Sequence, residues 1–126
     1  MRTKRNQMLR MTLPEEELMQ VLWTVQRAII YDIIEAYPAP KPVYTSVASL
    51  LRSLEKKQVV GHAKSGSRYE FFPLISKKDY ANVQIRYIAK NFFEADVNLM
   101  LEALAKSAKC ETTDFEKINR SLASGK

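Results

Sequence analysis

The stretch Pro42-Val-Tyr-Thr-Ser-Val-Ala-Ser-Leu-Leu-Arg-Ser-Leu-Glu-Lys-Lys57 decides the fold of this chain. Pro38, Pro40 and Pro42 stop whatever helix comes before it, and a proline is tolerated where a new helix begins. At about 100° per residue, Val43, Val47, Leu50, Leu51 and Leu54 share an arc of about 100°. Thr45, Ser49, Arg52 and Lys56 share an arc of about 60° on the opposite side. The spacing predicts a helix over residues 43–57 with one aliphatic face that buries itself. The other face presents hydroxyls in its first half and cations further on.

Working outward, Thr12 and Glu15 have the spacing of a capping box, and Pro14 suits a first helical turn. Leu18, Met19, Leu22 and Trp23, with Val21 and Val25, predict an amphipathic helix over 13–25. Ile29, Ile30, Ile33, Ile34 and Tyr37 predict a second over 28–37. Past the central stretch, Val59-Val60 and Tyr69 to Phe72 with Pro73 bracket Lys64-Ser65-Gly66-Ser67-Arg68. Two short β-prone runs around a Gly/Ser turn predict a hairpin with a small, cationic tip. Three helices followed by a hairpin is the order of a winged helix-turn-helix.

Beyond Ser76 helical patterning returns. Tyr80, Val83, Ile85, Tyr87, Ile88, Phe92 and Phe93 mark a helix over 77–93, and Val97, Met100, Leu101 and Leu104 another over 95–107. Thr113 and Glu116 repeat the capping spacing ahead of Phe115, Ile118 and Leu122. These segments are richly apolar but too few to enclose a core. They pack either on a second copy of the chain or back on the N-terminal unit; since the winged unit closes its own core, we expect a homodimer. The expected dimer face is Ile85, Ile88, Phe92, Phe93, Val97, Met100, Leu101, Leu104, Phe115, Ile118 and Leu122. The expected class is thus mainly α: a flexible basic arm (1–11), a winged helix-turn-helix of three helices plus a β-hairpin wing (12–76), a helical dimerisation arm (77–122) and a frayed tail (123–126).

Composition narrows the function. The chain has 126 residues, with 20 Lys and Arg against 14 Asp and Glu, a formal charge of +6. Residues 1–10 carry Arg2, Lys4, Arg5 and Arg10 without an acid; residues 11–37 sum to −4 and residues 41–68 to +5. Positive charge gathered in one central segment suits a polyanion; a merely solvated surface is the alternative. One cysteine and one histidine argue against a disulfide, a metal centre or histidine catalysis, so no metal, cofactor or enzymatic activity is expected. No run approaches a membrane span or a signal peptide, so a cytoplasmic protein is expected.

At this point the chain resembles a known family. Glu17-Leu-Met-Gln-Val-Leu-Trp23, Asp32-Ile-Ile-Glu35, Pro42 to Leu51, Leu54-Glu-Lys-Lys57 and Tyr69-Glu-Phe-Phe-Pro-Leu-Ile-Ser76 are together similar to the penicillinase repressors. The resemblance covers about residues 12–122 and implies a winged-helix domain, a helical dimerisation arm and repression by occupying a palindromic operator. It matches the family's reading helix to Tyr44–Lys57 and its outward hydroxyls to Ser46 and Ser49, with Ala48 where a lysine is common. It also implies a sensor protease as a partner of some relatives, cutting an Asn–Phe bond in the arm. The matching bond here is Ala103–Leu104, and Asn91–Phe92 offers the dipeptide at a different place. Copper-responsive relatives carry a cysteine cluster, whereas this chain has only Cys110, which falls where the family usually has leucine and reads as a small buried hydrophobe.

The expected partner is double-stranded operator DNA. Tyr44, Thr45, Ser46 and Ser49 would approach base edges or nearby phosphates; Arg52, Lys56 and Lys57 would pair with phosphates; Lys64 and Arg68 would reach the adjacent minor groove or its phosphates from the wing, and Lys41 joins the DNA-binding set. A winged-helix module that binds protein without reading DNA is the alternative. Trp23 reads as core, His62 as structural, and Glu15, Glu16 and Glu17 as favourable charges at a helix N-terminus.

Overall fold

The computed structural model describes residues 10–108 and Arg120. Helix α1 (Leu13–Val25) begins with the expected capping box. The Thr12 hydroxyl accepts from the Glu15 amide at 3.2 Å, and the Glu15 carboxylate accepts from the Thr12 amide at 2.8 Å. Helix α2 (Ile30–Ala36) starts later than its apolar spacing suggests. Ala28 belongs instead to a β-bridge: its amide donates to the Phe71 carbonyl at 3.1 Å and its carbonyl accepts from the Phe71 amide at 2.8 Å. A partner strand outcompetes an extra helical turn there.

Helix α3 (Tyr44–Lys56) is the predicted central helix. Strands β1 (Val60–Ser65) and β2 (Arg68–Pro73) form an antiparallel hairpin in which Ser65 faces Arg68. Its two-residue turn requires a left-handed residue, supplied by Gly66 at φ +64°. The architecture is mainly helical with a two-stranded wing, as the sequence predicts.

Leu18, Met19 and Leu22 of α1, Ile33 of α2, and Val47, Leu51 and Leu54 of α3 close the core with Val59 and Val60. Every one is almost fully buried, and at about 1.5–3 kcal/mol per large apolar side chain this cluster is the main stabilising term. Trp23 is half-buried beside it and its Nε1 donates to the Ile75 carbonyl at 2.9 Å. Val43 is a correction to the facial reading. It is the N-cap of α3, its backbone is extended (ψ 159°), and its side chain points to solvent. The helical period places a side chain only where the backbone is helical.

Helices α4 (Lys77–Phe92) and α5 (Val97–Ala108) follow. Ser76 Oγ accepts from the Asp79 amide at the start of α4; Asp96 Oδ1 accepts from the Asn98 and Leu99 amides at the start of α5. Glu94 and Ala95, both at positive φ, make the turn between them. The chain divides into two compact units at Val83–Gln84. The first turns of α4 belong with the winged unit, because buried Tyr80 lies 5.8 Å from the Trp23 ring and donates to Glu16 Oε2 at 2.5 Å. Burial and the Glu16 carboxylate together raise the Tyr80 phenol well above its usual pKa. Residues 1–9 of the N-terminal arm, Cys110, Phe115, Ile118, Leu122 and the tail lie outside the described residues.

Candidate nucleic-acid interface

Burying Val47, Leu51 and Leu54 fixes the rotation of α3 about its axis. That rotation turns Thr45, Ser46, Ser49, Arg52 and Lys56 outward, and all five are exposed. The helix presents hydroxyls and two cations with no acid among them. Tyr44 stands at the first turn, its ring centroid 5.2 Å from that of Tyr31 on α2. Lys64 and Arg68 are exposed on either side of the hairpin turn.

Two lysines grouped with these by sequence are engaged by the protein. Lys41 Nζ donates to the carbonyls of Glu35 (2.7 Å) and Tyr37 (2.9 Å), at the C-terminal end of α2 where carbonyls lack helical partners. Its charge remains unpaired by any acid in those contacts and stays at the surface. Lys57 is held more firmly: Nζ donates to Glu15 Oε1 at 2.6 Å and to the Arg10 carbonyl at 2.9 Å. The sequence groups Lys57 with the phosphate contacts; the structure points it inward to a carboxylate.

Glu15 is more than a favourable helix-end charge. It is buried, and Ser53 Oγ on α3 also donates to its Oε2 at 2.6 Å. Burial alone would raise its pKa, but the bonds from Lys57, Ser53 and the Thr12 amide, with the Lys57 charge, outweigh burial and hold it below the usual carboxylate value. This knot ties the start of α1 to the end of α3. His62 Nδ1 on β1 meets the Glu55 carboxylate of α3, and Arg27 Nε donates to Glu70 Oε1 at 2.7 Å while its guanidinium lies 4.7 Å over the Phe72 ring. The first contact joins the wing to α3 and the second joins it to the connection between α1 and α2.

Residues 11–124 match the model of the family described as penicillinase repressor. The chain belongs to the penicillinase-repressor family. Penicillinase repressors are DNA-binding regulators of transcription rather than enzymes. No curated protein matches the chain. No described helix is long and apolar enough to cross a membrane, and among the described residues no group of three or more His, Cys, Asp or Glu could hold a metal ion.

In this repressor-family chain the second unit carries the other predicted set. Ile85, Ile88, Phe92, Val97 and Leu104 are exposed, and Phe93, Met100 and Leu101 are half-buried. The Ala103–Leu104 bond lies inside α5 and the Asn91–Phe92 bond at the end of α4.

Proposed function

We propose that this chain is a cytoplasmic homodimeric repressor that occupies a palindromic operator and excludes RNA polymerase from it. Helix α3 lies in the major groove, with Tyr44, Thr45, Ser46 and Ser49 toward base edges and Arg52 and Lys56 toward phosphates. Lys64 and Arg68 extend the phosphate contacts from the wing, and Lys41 adds charge beside the start of α3. Lys57 acts from within, by holding the end of α3 against Glu15. The apolar surface from Ile85 to Leu104 meets its copy in the second protomer, which doubles the contacts and sets the half-site spacing. The reading needs no sensor protease.

The observation that carries this is the bare outer face of α3, where hydroxyls and cations stand exposed along a helix whose C-terminal end is tied to Glu15. Selection of bound sequences from a random duplex pool tests it. The expected product is a palindrome whose half-sites lie about one helical turn of DNA apart. Enrichment of no sequence, or of a single asymmetric site, overturns the reading.

A further inference from the structure

The facial pattern of α3 accounts for its hydroxyls and cations but not for an apolar cluster at its N-terminal end. Val43 is 64% exposed, Tyr31 65% and Tyr44 44%. Val43 is the N-cap of α3, a position where Ser, Thr, Asp or Asn would accept a backbone hydrogen bond; the helix has no side-chain cap. A branched apolar group stands in water at the place where a polar one would stabilise the helix. The Tyr31 and Tyr44 rings, 45° apart in plane, brace one another across α2 and α3. The tyrosine pair is therefore already formed in the free protein, with exposed Val43 next to Tyr44 in the chain.

We propose that Val43, Tyr44 and Tyr31 read the 5-methyl groups of thymine in the major groove. This rests on the groove placement of α3 proposed above. The cluster continues directly into the exposed Thr45, Ser49 and Arg52, with Lys41 two residues before it. An apolar protein partner seated there would strip water from those cations, whereas a duplex brings phosphates to them. The thymine methyl is the apolar mark that sets a T·A pair apart in the major groove. Serine and threonine hydroxyls accept or donate to several bases, so α3 needs a second source of discrimination, and this cluster supplies it.

The test uses the full chain and the duplex enriched by selection, with each thymine replaced in turn by deoxyuridine, which removes only the methyl. At one thymine or more per half-site the replacement weakens wild-type binding about fourfold per contact, the equivalent of about 0.8 kcal/mol for one methyl. Val43→Ala makes one such replacement silent. Val43→Ser does the same while raising the melting temperature, because serine caps the helix and carries no methyl; a purely structural role for Val43 would not separate the two readouts. Tyr31→Ala narrows the thymine preference at the position served by Tyr44. If wild type binds the selected duplex but no deoxyuridine replacement changes affinity, or Val43→Ala keeps the full preference, the proposal fails and the repressor reading stands. If no duplex is bound, both fall.

Discussion

Glu15 is the residue on which the alignment of α3 turns. Its carboxylate receives a lysine, a serine and a backbone amide from three places in the chain, and it is only 3% exposed. Glu15→Gln removes the charge that Lys57 faces and leaves that ammonium, itself a quarter exposed, without a counter-ion. We expect a loss of about 2 kcal/mol at pH 7 in urea denaturation, since a buried donor left unmatched costs about 1–3 kcal/mol. The pH dependence follows from the direction of the shift. The folded carboxyl is held below its ordinary 4.5, so on acidification the unfolded chain takes up the proton first. The stabilisation is complete above about pH 4.5 and is lost as pH falls through the lower folded value. The gap between wild type and Glu15→Gln should therefore close in acid. A gap that stays constant from pH 7 to pH 3 would show that the charge on Glu15 contributes nothing.

At the scale of elements, the proposed function gives different work to the outward Arg52 of α3 and to Lys57 at its C-cap, which is turned to Glu15. In a dimer each exposed cation of α3 acts twice, so Arg52→Ala should reduce the slope of log affinity against log salt by about 1.8, at about 0.9 per phosphate contact, with the melting temperature unchanged. Lys57→Ala should show the opposite pattern, a lower melting temperature and little change in slope. An unchanged affinity and slope for Arg52→Ala combined with Lys56→Ala would favour a protein-binding module instead. In the wing, Gly66→Val should cost about 1–2 kcal/mol in thermal unfolding, because the turn needs a positive φ although space is free around the missing side chain. Much of this was legible in the sequence. The capping box at Thr12, the facial split of α3 and the turn at Gly66 are local signals, and periodicity alone turns Arg52 and Lys56 outward. What was not legible depends on approach between distant residues. Nothing near Lys57 in sequence announces Glu15, nothing near Ala28 announces Phe71, and Tyr31 meets Tyr44 only once α2 crosses α3. Val43 escaped for a different reason: a helical period was applied one residue beyond the helix.

At the scale of the whole molecule, the proposed dimer rests on the exposed apolar surface of the second unit. Phe92 is 69% exposed in the protomer, and Ile85, Ile88, Val97 and Leu104 are exposed with it. Apolar groups left in water over two consecutive helices are a gain of about 25 cal/mol per Å² waiting for a cover. A charge placed at such a position should leave the protomer folded, since it meets solvent, yet should disrupt a face shared with a copy. If wild type forms the proposed dimer, Phe92→Glu should keep its helical circular dichroism, sediment as a monomer at the same concentration, and lose tight operator binding because one α3 must then bind alone. Truncation after Lys90 should give the same two losses by another route, since the core from Leu18 to Val60 is closed within the winged unit. A Phe92→Glu protein that remains dimeric and binds the operator as wild type does would move the dimer contact away from this surface. A monomer that still binds the palindrome tightly would show instead that one reading helix suffices, and the doubling of contacts would have to be abandoned.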